Sequence, residues 1–192
     1  MAPRLPKTEL TGISGTMMKW LARKRLGVVP EPLEVCWHNR KVLKANMGYG
    51  HKASKWDAVD QNLKSFAHMA VAAQVGCSWC LDLGYFQAQD EGLDMGKASQ
   101  VPCWRDSDAF TPLERDVLEY AEAMSNTPTT VSDELAARLL DRLGPAAMLE
   151  LTAFVGFSNF AARQNTALGI ESQGFSSECE IPLADAGSEV PA

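Results

Sequence analysis

Apolar side chains recur at helical spacing along this chain, in segments that glycine and proline separate from one another. No convincing run of strand-type alternation appears in the sequence, and the few β-branched residues lie inside helical patterns. The predicted helices cover residues 10–26, 32–47, 60–75, 77–90, 111–124, 132–143 and 145–168. The sequence therefore predicts an all-α fold.

The composition is that of a globular protein with enough apolar material for a core: 192 residues, 46% of them hydrophobic. We predict a single helical domain over residues 1–171. Residues 172–192 are rich in Gly, Ser, Pro and Glu and have little to bury, so we predict a mobile tail there. The net charge of −6 argues against a duplex nucleic acid as partner.

The sequence predicts neither a signal peptide nor a membrane-spanning segment. Charged residues interrupt the apolar stretch near the start, as a signal peptide would not allow, and no stretch approaches the roughly 20 apolar residues of a membrane span. The basic first helix, with Met17, Met18 and Trp20, could lie on an anionic membrane, but we favour docking on its own protein or on a second subunit. Five cysteines, an odd number, argue against a secreted disulfide scaffold. We therefore expect a cytoplasmic protein without a membrane partner.

The feature that indicates chemistry is Cys77-Ser78-Trp79-Cys80, which follows the helix break at Gly76. At the start of a helix, partial positive charge and free N–H groups stabilise a thiolate. A second thiol one turn away can resolve an oxidised first one as a disulfide. This spacing is typical of a thiol–disulfide redox centre.

Two other interpretations of the pair stay open. A zinc site would need two more ligands, and the sequence has neither a second Cys-x-x-Cys nor a His-x-x-x-His; we predict no metal and no cofactor. The pair could also be inert and buried. Cys36, Cys103 and Cys179 stand alone and are interpreted as packing or incidental residues.

Over roughly residues 32–171 the sequence resembles the carboxymuconolactone decarboxylase family, and in particular its alkylhydroperoxidase D-like branch. Three pieces carry the resemblance in order: the run from Met69 to Asp82 around the cysteine pair; Glu114-Arg115 through Tyr120-Ala121; and Glu150-Leu151-Thr152, Asn159, Arg163 and Asn165 with Ala167 to Glu171. The resemblance implies an alkylhydroperoxidase D-like helical bundle, assembled as a homo-oligomer.

The resemblance also implies a function: a thiol-dependent peroxidase that reduces a small-molecule peroxide and is regenerated by a dithiol reductant or carrier protein. It implies that Cys80 attacks the peroxide and that Cys77 resolves. The helix-dipole argument alone favours the earlier cysteine, so the two arguments disagree. We follow the resemblance for the order.

Two positions depart from the branch. It has a histidine four residues after the second cysteine, where this chain has Gly84, and a glutamate twelve residues before the first, where this chain has Ser65. Those two groups relay protons, so a relay here needs other residues. His68, one helical turn after Ser65, is the substitute that we propose, against the alternative of an ordinary helix histidine. Asp82, two residues past Cys80, is a second candidate for the proton relay; the alternative is that it is a solvated charge at the start of the helix.

Two further functions compete with the peroxidase. One is the family's namesake decarboxylation of a muconolactone-type acid, which needs cationic and proton-donating groups rather than a redox pair. The other is an oligomeric module whose cysteines are inert, an alternative that Ser65 and Gly84 support.

Overall fold

The computed structural model describes residues 3–176, and within this range all the regular secondary structure is helical. The α-helices are α1 (Gly12–Leu26), α2 (Glu31–Cys36), α3 (Arg40–Ala53), α4 (Gln61–Val75), α5 (Ser78–Asp90), α6 (Met95–Ala98), α7 (Pro112–Ser125) and α8 (Asp133–Leu168). Short 3₁₀ turns at Trp37–Asn39 and Val101–Asp106 complete the described part. The predicted all-α class is confirmed.

Helix α4 is the centre of the bundle and packs against α5, α7 and α8. Its apolar residues face the core in several directions; Phe66, Ala67, Met69 and Val71 are all at most 1% exposed. A helix that is apolar on most sides can be stable only when neighbours cover it. The cysteine pair lies directly after this helix and belongs to the same core cluster.

Capping residues set several helix bounds as the sequence predicts. The Thr111 hydroxyl accepts a hydrogen bond from the backbone N–H of Glu114, whose carboxylate accepts from the Thr111 N–H, a complete capping box. Near the other end of the sequence, the backbone leaves helical geometry at Gly144 (φ 76°), directly before Pro145. The predicted break inside α8 is therefore present.

The prediction of one helix over residues 32–47 is wrong. The structure has α2, a 3₁₀ turn and then α3, which the Asn39 side chain caps by accepting from Lys41 and Val42. Helix α3 continues through Gly48 and Gly50 to Ala53. A glycine inside a helix costs about 1 kcal/mol relative to alanine, and tertiary packing overrides a preference of that size. At Gly50 that packing is the ring of Phe157, which a Cβ would approach to 3.4 Å.

The predicted tail is described only at its beginning. Residues 172–176 pack against the start of α5, whereas residues 177–192 lie outside the described range. We refer to residues 172–176 as the C-terminal strap.

In residues 3–176 no helix combines the length and the apolar character that crossing a membrane requires.

Candidate functional site

The cysteine pair sits where two helices of the core meet. Gly76 ends α4 in the left-handed region (φ 74°), a conformation that glycine adopts without steric cost, and Cys77 is the N-cap of α5. Cys77 and Cys80 are joined by a disulfide, with their Cα atoms 5.3 Å apart. Each is 2% exposed. The predicted pair is thus at the start of a helix, in its oxidised form.

Each sulfur of the pair has a hydrogen-bond donor. The backbone N–H of Cys80 donates to the Cys77 Sγ at 3.3 Å, and the Asn165 side-chain amide donates to the Cys80 Sγ at 3.5 Å. Donors directed at sulfur stabilise a thiolate, as does the N-terminal end of α5. Asn165 belongs to the third piece of the family resemblance, but nothing in its spacing indicates that it reaches Cys80 across 85 residues of sequence.

His68 lies on α4 over the first turns of α5, next to Gly84. A Cβ at position 84 would come within 3.3 Å of the His68 ring, so the absence of a side chain there provides the space that the imidazole occupies. The His68 Nδ1 is 3.3 Å from the Ser158 Oγ. Burial lowers the pKa of His68 below its ordinary value, and this outweighs a hydrogen bond to the backbone of Cys80, which acts to raise it. His68 is therefore a neutral imidazole at pH 7, in contact with the residue that carries the sulfur.

A cleft of about 390 Å³ opens over His68; about half of its lining is polar, and we call it the polar cleft. Ser65, at the position where the peroxidase branch has a glutamate, donates a hydrogen bond from its hydroxyl to the Glu91 carboxylate at 3.2 Å. Gln61 donates to the same Glu91 oxygen at 3.4 Å. Ser65, His68 and Glu91 all line this cleft, which therefore holds a carboxylate and an imidazole although the sequence lacks both at the usual positions.

Asp82, the other predicted site residue, has a different environment. Its side chain is fully buried, and its two carboxylate oxygens accept five hydrogen bonds from the C-terminal strap. The donors are the Ser172 hydroxyl and the backbone N–H groups of Gln173, Gly174, Phe175 and Ser176. Burial raises the pKa of Asp82, but the hydrogen bonds from Ser176, Ser172 and Phe175 together outweigh burial and hold the pKa below its ordinary value. These contacts are those of a charged anchor.

The strap also binds the two residues between the cysteines. Ser78 accepts from the backbone N–H of Ser172 at 3.1 Å, and the Trp79 indole N–H donates to the Gln173 side-chain carbonyl at 3.0 Å. The Trp79 ring meets the Phe175 ring edge to face, with centroids 6.2 Å apart. One side of the Cys77–Cys80 turn is therefore covered by the strap, and no sequence pattern predicts this contact.

A second cleft, of about 450 Å³ and almost entirely apolar, lies between α1, α2, α3 and α8. It is lined by Met18, Leu21, Ala22, Arg25, Leu26, Pro30, Pro32, Leu33, Cys36, Leu43, Asn46, Met47, Trp79, Phe157, Phe160, Ala161, Gln164 and Asn165. It reaches the pair through Trp79 and Asn165, the latter in contact with the Cys80 sulfur. The apolar and polar clefts share three lining residues, Arg25, Phe157 and Ala161.

In residues 3–176 no three His, Cys, Asp or Glu side chains gather into a cluster that could hold a metal ion. Cys36 and Cys103 are free thiols in the same range, and Cys179 lies outside it. The structure thus brings Cys77, Cys80 and His68 together and places Asp82 under the strap.

Fold and site together define a class of all-α proteins with a Cys-x-x-Cys pair at the start of a buried helix. The chain belongs to the carboxymuconolactone decarboxylase family, whose sequence model matches residues 40–123. It is similar to the uncharacterized protein YnjA of Escherichia coli (strain K12), with 34% identity over 166 residues that cover 85% of this chain and 88% of YnjA.

Solved structures show the same fold at low sequence identity. The apo crystal structure of the debrominase Bmp8 matches with a TM-score of 0.78 and 20% identity, covering 91% of this chain and 97% of Bmp8. The alkylhydroperoxidase AhpD core protein of Ralstonia eutropha JMP134, a peroxidase-related protein, also matches with a TM-score of 0.78, at 16% identity and with 91% and 95% of the two chains covered. The predicted alkylhydroperoxidase D-like bundle is confirmed.

Proposed function

We propose that this protein is a thiol-dependent, peroxidase-like oxidoreductase that reduces hydroperoxides with Cys77 and Cys80. The observation that carries the proposal is the disulfide between these residues at the N-terminal end of α5, next to a neutral histidine. A helix N-terminus, two sulfur-directed donors and a nearby base are the groups that activate a thiol.

The reaction begins with the reduced pair. The Cys80 thiolate attacks the terminal oxygen of a hydroperoxide, the O–O bond breaks, and the alkoxide takes a proton and leaves as the alcohol. The resulting sulfenic acid condenses with the Cys77 thiol, releases water and forms the disulfide. A dithiol reductant or carrier protein then exchanges with the disulfide and restores both thiols.

Cys80 is the attacking residue in this proposal because both clefts approach it. Asn165, which lines the apolar cleft, contacts the Cys80 sulfur, and His68, which lines the polar cleft, contacts the Cys80 backbone. His68 takes the proton of the Cys80 thiol and returns it to the leaving alkoxide. Because its pKa is lowered, His68 is unprotonated at pH 7 and ready to act as a base.

The proposal also covers the oligomeric state, the partners and the cellular location. The protein acts as a homo-oligomer in the cytoplasm, on a small-molecule peroxide and a dithiol carrier, without nucleic acid or membrane. Support for the oligomer comes from α1, on which Ile13 is 92% and Trp20 60% exposed, since large apolar side chains in such positions favour a contact with another chain.

The test is mass spectrometry of the reduced protein after one equivalent of cumene hydroperoxide. We expect loss of two thiols and a Cys77–Cys80 disulfide in wild type, and a stable Cys80 sulfenic acid in Cys77→Ser. A Cys103→Ser variant, which removes an exposed thiol that lines neither cleft, is the matched control and should behave as wild type. Absence of the disulfide at useful rates would contradict the proposal and leave an inert module, or a decarboxylase if a muconolactone acid is turned over with the thiols unchanged.

A second candidate is reductive dehalogenation by the same pair, which the apolar cleft beside Cys80 favours. Bmp8 is a debrominase and has been solved in complex with 2,3,4-tribromopyrrole, although its likeness to this chain is one of fold. In that reaction a carbon–bromine bond becomes carbon–hydrogen, bromide leaves, and two thiols become a disulfide. Bromide release from 2,3,4-tribromopyrrole by the reduced protein, measured against Cys80→Ser, separates the two candidates.

A further inference from the structure

The apolar cleft has one cation at the boundary with its polar neighbour. Arg25, near the end of α1, lines both clefts. Within residues 3–176 its side chain makes no hydrogen bond or ion pair and is exposed. A cation without a partner, where an apolar cleft meets a polar one, complements a ligand with an apolar body and a negatively charged group.

The other polar side chains of the apolar cleft are already paired. The Asn46 amide donates to the Gln164 side-chain carbonyl at 3.0 Å, and the Gln164 amide donates to the Cys36 sulfur at 3.4 Å. Asn165 donates to Cys80. Arg25 is therefore the lining residue whose charge is available to a ligand, while the remaining wall offers apolar surface.

The size of the cleft suits a small molecule. Its volume of about 450 Å³ lies within the range of roughly 300–1,000 Å³ that small-molecule sites occupy. One of its lining residues, Asn165, contacts the Cys80 sulfur through its side chain. A ligand that fills the cleft is thus one side chain away from the redox pair.

We infer that the apolar cleft binds the chain of an aliphatic carboxylic acid, with its carboxylate paired to Arg25. Resting on the proposed function, this names the substrate class: hydroperoxides of fatty acids, in preference to neutral hydroperoxides of similar size. Arg25 is the specificity-determining residue. It selects the acid at the rim, and the cleft directs the chain toward Cys80.

Calorimetric titration of the reduced full-length protein with dodecanoic acid and with dodecan-1-ol tests the binding without any redox step. We expect the acid to bind about fivefold more tightly than the alcohol, the size of effect that one exposed ion pair allows. Arg25→Gln should reduce the affinity for the acid to that for the alcohol. Arg23→Gln, which removes a neighbouring charge that lines neither cleft, should leave both affinities unchanged.

Ala22→Trp fills the apolar cleft and should abolish binding of both ligands, with an unchanged unfolding midpoint as the check on folding. Equal affinities for acid and alcohol, or an Arg25→Gln variant that keeps the preference, would overturn the inference. So would failure of both ligands to bind wild type, the result expected if a second copy of the chain covers the cleft.

Kinetics then distinguish this inference from the proposed function. Thiol oxidation by the 13-hydroperoxide of linoleic acid should have a kcat/KM about fivefold above that with its methyl ester, and Arg25→Gln should remove the difference. Arg25-dependent binding without any thiol oxidation would refute the peroxidase and leave the binding site. Thiol oxidation by both hydroperoxides at equal rates would refute the specificity and leave the peroxidase.

Discussion

His68 and Asp82 flank the cysteine pair in the sequence, and their surroundings differ in kind. The imidazole of His68 lines an open polar cleft and contacts one hydroxyl and one backbone group. The carboxylate of Asp82 is fully buried and saturated by five donors from the strap. Both residues are ionisable and close in sequence to the pair. The comparison shows that an ionisable side chain can transfer protons only if the fold leaves one of its lone pairs free of other hydrogen bonds.

Of the variants that test this comparison, Asp82→Ala is expected to have the largest effect, on the free energy of unfolding. Removal of the carboxylate leaves several strap donors without a partner, at about 1–3 kcal/mol for each buried one, so we expect a loss of at least about 3 kcal/mol in the free energy of unfolding. Urea denaturation measures it. Asp90→Ala, an exposed carboxylate at the end of the same helix, should change the free energy by less than about 0.5 kcal/mol. Equal losses in the two variants would refute the anchoring role.

His68→Gln should give the reverse result, with lost chemistry and little lost stability. We expect about a hundredfold slower oxidation of Cys80 by hydroperoxide at pH 7, because a general base contributes at least that factor. In wild type the rate should fall only below about pH 6.5, since burial lowers the pKa of His68, and the variant should lose this acidic limb. His51→Gln, on α3 and exposed, is the control. An unchanged rate and pH profile in His68→Gln would exclude the proposed relay.

The pH dependence of stability sharpens the contrast. The pKa of Asp82 is depressed in the folded state, so its contribution is fully present above the unfolded value of about 3.9 and is lost as pH falls through the folded value. We expect the difference in urea midpoint between wild type and Asp82→Asn to be constant from pH 7 to about pH 5 and to shrink at lower pH. A difference that stays constant down to pH 3 would contradict this.

The smallest effect is expected from Trp79→Phe. The substitution removes the indole N–H that donates to Gln173 but keeps an aromatic ring against Phe175. The Gln173 carbonyl still accepts from the backbone N–H of Glu31, so the cost should be about 1 kcal/mol. Trp20→Phe, on the exposed side of α1, should cost less in the same urea measurement. A larger loss in Trp20→Phe would contradict a stabilising role for the Trp79–Gln173 hydrogen bond.

Much of the fold follows from local signals. Thr111, Gly76 and the Gly144-Pro145 pair mark helix ends because capping and backbone geometry act within one turn. The break at Trp37–Asn39 and the continuation of α3 through Gly50 could not be predicted from local signals. Trp37 packs in a core cluster with Leu10, and Gly50 packs against Phe157, both distant in sequence.

The candidate site likewise has features that follow from local sequence and features that depend on long-range contacts. The position of the pair at the start of α5 follows from its own segment, whereas the environment of Asp82 depends on donors 90 to 94 residues away. The contact of Asn165 with Cys80 is of the same long-range kind. Residue type identifies which side chains can ionise, but only the tertiary structure shows that His68 lines a cleft and that Asp82 is fully buried.

The absence of a side chain at Gly84 links the residue at position 84 to the residue at position 68. Even an alanine at position 84 would place its Cβ 3.1 Å from the Met69 side chain and 3.3 Å from the His68 ring. Any side chain at position 84 would therefore require Met69 and the His68 ring to shift, and a larger side chain would compete with the imidazole for the same space. We expect related sequences with a histidine at the position of His68 to have glycine at the position of Gly84.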